Sequence, residues 1–242
     1  NFGAAVLRAV GDTRRPLYFL MAAGVMNVLG DLLFVCVLGM GVAGVALATV
    51  LSQCVSAALT VLCLTGSDGM CHLDIRRLRF YPERFAQIMK IGLPAGMQSV
   101  IFNISNVLIQ SSINSFGAVA VAGNTAAANV EGFVYISMNS LYQTTLSFTS
   151  QNLGAKQYRR VDGILVRCMI LVILIGVVLG QGAYRLGDPL LHIYSQDPEV
   201  IAYGIQRFSV VSVTYFLCGM MDVGSGVVRG LGYSIMPMLV SM

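Results

Sequence analysis

Charge is what this sequence has least of, and the shortage excludes most function classes at once. Only 11% of its 242 residues are Asp, Glu, Lys or Arg, against about 25% in a soluble domain. Hydrophobic residues reach 56% and mean hydropathy is +0.76. A surface that apolar cannot stay wet, so lipid has to cover much of it. Histidine is nearly missing: His72 and His192 both fall in loops, which gives no paired-histidine metal site and no Ser-His dyad within the apolar stretches. Those stretches hold no Gly-x-Ser-x-Gly elbow either, so neither an enzyme nor a metal site is expected. The six cysteines form no CxxC pair, and all but Cys71 lie in apolar runs, where they read as small packing residues. No basic n-region, short apolar core and cleavage site marks a signal peptide. The chain opens on Asn1 and stops inside an apolar run after Pro237, so both ends read as cut from something longer.

What is present is a series of long apolar runs. A bilayer core about 30 Å thick needs roughly 20 apolar residues per helix. Six stretches meet that demand: 17–38, 42–64, 85–116, 119–148, 164–184 and 200–228, with a seventh starting near Pro237. The run from Met169 to Val178 is apolar on all sides, which a half-wetted soluble helix is not. The expected fold is an all-α integral membrane bundle.

The connections alternate in character. Gly39-Met40-Gly41 and Phe116-Gly117-Ala118 are short and uncharged, so each joins an antiparallel helix pair. The others are basic, carrying Arg8, Arg14 and Arg15, then Arg76 to Lys90, then Lys156 to Arg167, then Arg229; these hold 13 of the 15 Lys and Arg residues. The positive-inside rule puts that side in the cytoplasm of a multi-pass cell-membrane protein. The net charge of +4 is therefore a topology signal, and no nucleic-acid partner is expected; the lipid bilayer is.

A repeat is buried in the pattern. Val6-Leu7-Arg8-Ala9-Val10-Gly11 resembles Val227-Val228-Arg229-Gly230-Leu231-Gly232, and Pro16 matches Pro237 at the same offset of 221 residues (229 − 8 and 237 − 16). Six helices separate the copies, which implies a parallel repeat of six-helix halves.

Several carboxylates and amides sit inside the spans, where an ionised side chain costs about 2.5–3.5 kcal/mol on insertion scales and needs a reason. Asp31 lies fourteen residues into the first span, with Asn27 one turn earlier on the same face. An amide carbonyl beside a carboxylate is half of a Na⁺ site, or a setting for a protonatable carboxyl; the plainer reading is an interhelical hydrogen bond. Glu131 lies midway along the fourth span and shares a face with Asn124, near Asn129. Asn103, Asn106 and Gln110 form a stripe on the third span. Such polar stripes line a pathway or glue helices together. Asp222 lies two turns before Arg229, as a gate or a structural ion pair. Pro94, between Gly92 and Gly96, is a candidate hinge or a static kink.

Four stretches carry a family resemblance. They are Leu7 to Pro16; Asn27-Val28-Leu29-Gly30-Asp31 with Gly41 to Thr49; Ile91-Gly92-Leu93-Pro94-Ala95-Gly96; and Ser150-Gln151-Asn152-Leu153-Gly154-Ala155. Together, in this order, the sequence resembles the multidrug and toxic compound extrusion family over essentially its whole length. The resemblance implies part of a twelve-helix transporter of two six-helix lobes, covering helices five to ten and the start of eleven. On that reading residues 1–70 end the first lobe, 71–88 link the lobes and 89–242 belong to the second. It further implies a monomeric antiporter, with no cofactor beyond its coupling ion, exchanging H⁺ or Na⁺ for small amphipathic organic cations. Asp31 and Asn27 would belong to the cation-coupling site, joined by Glu131 in the second lobe. Asn103, Asn106, Gln110, Asn124 and Asn129 would line the substrate cleft. A lipid-linked oligosaccharide flippase shares the repeated plan but calls for basic residues in the cleft, whereas the ionisable residues of the spans read as mainly acidic. A non-transporting membrane subunit or an intramembrane enzyme is the alternative from another class.

The topology makes a direct prediction. In a background lacking the six native cysteines, Gly117→Cys is labelled by a membrane-impermeant maleimide added outside intact cells. Gln157→Cys is labelled only after the cells are opened.

Overall fold

The computed structural model describes residues 2–66, 72–74 and 79–241. Cys71, Arg76 and Arg77 lie outside the described residues. No strand occurs among the described residues, and the chain divides into two compact units, Asn1–Phe80 and Tyr81–Met242.

The first unit holds α1 (Phe2–Ala9), α2 (Arg14–Asp31) and α3 (Gly41–Gly66). Directly after Asp31 the coil widens into a π-helical stretch, Leu32–Val37. Asp12 starts α2: its carboxylate accepts from the backbone N–H groups of Arg14 and Arg15, each at 3.2 Å. This satisfies donors that a helix start leaves open. α2 packs along α3, and Gly30 lies where Ala48 comes closest.

The second unit holds α4 (Pro82–Asn114), α5 (Ala118–Gly154), α6 (Tyr158–Arg185), the short α7 (Gly187–His192), α8 (Pro198–Gly230) and α9 (Ile235–Ser241). Asp197 and Pro198 open α8, with the Asp197 carboxylate accepting from the Glu199 N–H at 3.0 Å. The core forms where α5, α6 and α8 meet, around Val134, Met138, Val172, Phe208 and Val223. The buried face of α6 runs Val161, Cys168, Val172, Gly176, Gly180, Ala183, a stripe at three- and four-residue spacing made largely of small side chains.

Small residues let these backbones approach closely. A Cβ added to Gly123 would stand 2.5 Å from the Val200 carbonyl oxygen, and one on Gly180 would stand 2.6 Å from that of Ser212. Gly123 therefore fixes the spacing of α5 and α8, and Gly180 that of α6 and α8. α4 is held differently. Gln98 is its one buried residue, and Gln98 and Gln110 hydrogen-bond it to α8 and α5.

The spans depart from the sequence expectation in two places. Arg14–Val37, Gly41–Gly66 and Tyr158–Arg185 are long and apolar enough to cross a membrane, and Pro198–Gly230 is a fourth when its halves, bent by 48° between Ser212 and Thr214, count as one. The Thr214 hydroxyl donates to the carbonyls of Val210 (3.3 Å) and Val211 (3.1 Å), a back-bond that bends helices. α4 and α5, also expected as spans, have 33 and 37 residues. Their Asn, Gln, Ser and Thr side chains leave no window apolar enough for the same test among the described residues. Pro94 lies inside an unbroken α4 that begins at Pro82. The helix therefore runs through the proline, which removes one backbone donor from its interior.

The sequence repeat is a structural repeat. Gly11 (φ 96°) and Gly232 (φ 93°) both take the left-handed conformation. Asp12 N–H donates to the Leu7 carbonyl at 3.0 Å, and Tyr233 N–H to that of Val228 at 3.1 Å. α1 and α8 end at Ala9 and Gly230, and α2 and α9 begin at Arg14 and Ile235. Every one of these pairs is 221 residues apart. A left-handed glycine with this bond is a helix stop, since other residues strain there.

Close packing sets the expected effect of a single methyl. Gly123→Ala lowers stability in detergent by about 1–3 kcal/mol, while Gly132→Ala, which has open space around it, leaves the thermal midpoint unchanged or slightly raised. Thermal unfolding of the two variants side by side checks this.

Candidate functional site

In the first unit the polar side chains converge at the end of α2. The Asn27 amide donates to the Thr49 hydroxyl of α3 at 3.4 Å, and that hydroxyl donates to the Val45 carbonyl at 2.9 Å. Asn27 is thus held by its nitrogen, which leaves its carbonyl oxygen available. One turn on, Asp31 has a carboxylate oxygen, Oδ1, that is buried without a hydrogen-bond partner among the described residues. A buried carboxylate oxygen without a donor is expensive, and it is relieved by a proton or a cation. The residue stands where α-helix gives way to π-helix, a distortion frequent at functional sites. Asn27 and Asp31 are therefore placed together as the sequence suggested, and Thr49 joins them.

The second unit departs from the expectation. Glu131 is 4% exposed and its carboxylate is already taken. Arg207 of α8 grips it through Nε, at 3.0 and 3.1 Å to the two oxygens, and through an ion-pair contact from the terminal nitrogen at 2.6 Å. A further guanidinium nitrogen donates to Asn124, whose amide reaches Gln110 of α4 at 3.4 Å. Glu131 is thus a fixed partner in a clasp between α5 and α8, rather than an open ligand for a coupling cation. The physical reason is desolvation, because a carboxylate this buried needs a counter-charge and a forked guanidinium supplies one with matched geometry.

Arg207 is one of the two Lys and Arg residues outside the basic connections. A depth comparison points to it. Counted from the outer ends of their helices, Arg207 and Glu131 lie about 14 Å and about 20 Å in, at 1.5 Å per residue, a difference an arginine side chain spans.

The polar residues expected to line a cleft separate into two groups. Gln110 and Asn124 meet in the clasp network. Asn103 turns back to the Ser99 carbonyl at 2.9 Å and borders a shallow groove of about 300 Å³ whose other walls are Val100, Ile104, Val107 and Leu108. Asn106 and Asn129 are exposed and take no part in the network. At the far end of α8 the expected Asp222–Arg229 ion pair is not formed among the described residues. Arg229 donates instead to the Tyr142 hydroxyl at 2.6 Å and to the Gln98 side-chain oxygen, and its charge sits 5.9 Å from the Tyr142 ring centre. Tyr142 gives arginine both a hydroxyl acceptor and a π face, which draws it away from a carboxylate two turns back. No cluster of three or more metal-ligating side chains occurs among the described residues.

Comparison with known proteins places this geometry in context. A family model described as MatE matches residues 94–242. The chain is 30% identical over 242 residues to YpnP, a probable multidrug resistance protein of Bacillus subtilis (strain 168), across all of this chain and 54% of that protein. It is 25% identical over 248 residues to NorM, a probable multidrug resistance protein of Thermotoga maritima, covering 98% of this chain and 52% of the relative. It is 26% identical over 204 residues to an FAD transporter of Shewanella oneidensis. An outward-facing multidrug resistance MATE family transporter of the MOP superfamily superposes with a TM-score of 0.90 at 20% identity, over 99% of this chain and 54% of that one. The chain spans about half the length of the curated relatives it matches.

The clasp predicts a particular mutational signature. Arg207→Gln destabilises the protein by about 3 kcal/mol, since it strands a buried carboxylate. Adding Glu131→Gln to it restores most of the loss. Thermal unfolding of the two singles and the double, read as a cycle, measures the coupling.

Proposed function

Because this chain belongs to the MatE family, we propose that the protein containing it exports small amphipathic organic cations across the cell membrane by alternating access, in exchange for H⁺ or Na⁺. The basic loops face the cytoplasm, and the protein works as a monomer in its full-length form. The observation that carries the coupling step is the buried carboxylate oxygen of Asp31, beside Asn27 and without a partner among the described residues. A proton or Na⁺ arriving there removes an uncompensated desolvation cost. If the two access states bury Asp31 to different extents, binding shifts their balance by that difference in affinity. One charge moving through 100 mV supplies about 2.3 kcal/mol, enough for modest accumulation against a gradient.

Glu131 contributes differently on this reading. With Arg207 cancelling its charge, the clasp holds α5 to α8 while the coupling ion is handled at Asp31. The flippase reading ranks second for a related reason. The basic residues it calls for do occur in α8, as Arg207 and Arg229, but the first is neutralised by Glu131 and the second is occupied by Tyr142 and Gln98.

The test follows uptake of a fluorescent organic cation into liposomes holding the full-length protein, under imposed H⁺ or Na⁺ gradients. Asp31→Asn is expected to abolish gradient-driven transport while the protein stays folded. Glu131→Gln is expected to lower stability with transport still gradient-dependent. Transport by folded wild-type protein that ignores both gradients would overturn the antiport reading for that substrate.

A further inference from the structure

Where α5 hands over to α6 the two helices part beneath a short basic turn. Lys156 takes a left-handed φ of 58° there, and its N–H closes on the Leu153 carbonyl at 3.0 Å. The gap below is a cavity of about 880 Å³. Its walls are helical faces: Thr144, Phe148 and Gln151 from α5, Arg160, Gly163 and Arg167 from α6, with Arg159 beside them at the mouth. Among the described residues none of the three arginines has an ion-pair partner. The nearest acidic residue in sequence, Asp162, does not line the cavity. Phe148, Ile164 and Cys168 make an apolar wall.

Arg167 is the telling residue. It lies about 14 Å along α6 from Tyr158, at 1.5 Å per residue, in a helix long and apolar enough to cross a membrane. An arginine so placed reaches back toward the interface and calls for a counter-charge. None pairs with it among the described residues, and Arg159 and Arg160 add positive charge to the same cavity.

We propose that this cavity binds the phosphate group of an anionic phospholipid, with the headgroup between Arg159, Arg160 and Arg167 and an acyl chain along Phe148 and Ile164. Guanidinium forks match phosphate oxygens in pairs. The apolar wall suits an attached hydrocarbon chain and offers a free hydrophilic anion nothing. A basic pocket between membrane helices on the positive side is where such headgroups are recognised. The site uses none of the residues around Asp31 and does not rest on the transport reading.

The full-length protein in nanodiscs of phosphatidylcholine with a rising fraction of phosphatidylglycerol tests this, with retained lipid counted by native mass spectrometry. Wild type is expected to retain phosphatidylglycerol selectively. The triple variant R159Q/R160Q/R167Q is expected to lose about fivefold in affinity per charge removed, and R159K/R160K/R167K to keep most of it. R8Q/R14Q/R84Q removes three exposed cations elsewhere and is expected to retain the lipid. Equal retention by wild type and the glutamine triple, or equal loss in the control triple, overturns the proposal. Binding of inorganic phosphate alone at millimolar concentration, with displacement of the lipid, would assign the arginines to a free phosphate and end the lipid assignment.

Discussion

Everything in the second unit depends on how close the backbones of α5, α6 and α8 come. Among lipid tails a helix gains little by burying one more leucine against its neighbour, since lipid is as apolar as the neighbour. What remains is contact density and the pairing of polar groups. Gly123 and Gly180 provide the first, bringing α5 and α6 against carbonyl oxygens of α8. Closeness then makes the second possible. Glu131 follows Gly123 by about two turns on α5, and only at such a spacing can Arg207 grip both of its oxygens. α4, with no comparable approach, packs on α9 and is tied to α8 and α5 by the side chains of Gln98 and Gln110.

The two units treat an intramembrane carboxylate in opposite ways. Glu131 has a guanidinium and is electrically settled, so its cost has been met within the fold. Asp31 has an oxygen buried without a donor among the described residues, so its cost is left open there. The same residue class thus acts as a rivet in one unit and, on the proposed reading, as a receptor in the other. The surroundings decide which, and helix position alone does not.

That distinction explains what the sequence could and could not reveal. Long apolar runs located α2, α3, α6 and α8, because the bilayer demands length and apolarity together. The six-residue repeat with Pro16 and Pro237 was legible as a recurring turn because helix stops are encoded locally. Asn27 and Asp31 were legible as a pair because four residues make one helical turn. The Glu131–Arg207 clasp was not, since 76 residues separate its members and periodicity carries no information across helices. Asp222 and Arg229 misled for the complementary reason: spacing placed them on one face, but Tyr142 and Gln98, 87 and 131 residues away from Arg229, outcompeted the local partner. α4 and α5 were read as spans by length, and their polar side chains dilute the apolar signal that marks the other spans.

The turn that ends α1 and its copy that ends α8 are built from their own backbone and a single glycine each. Neither needs a distant partner to form. A segment copied within a gene would carry this punctuation with it intact, while the helices on either side drifted to different sequences and tasks. It would also act during synthesis, since a stop written in a few adjacent residues is obeyed as soon as they leave the ribosome.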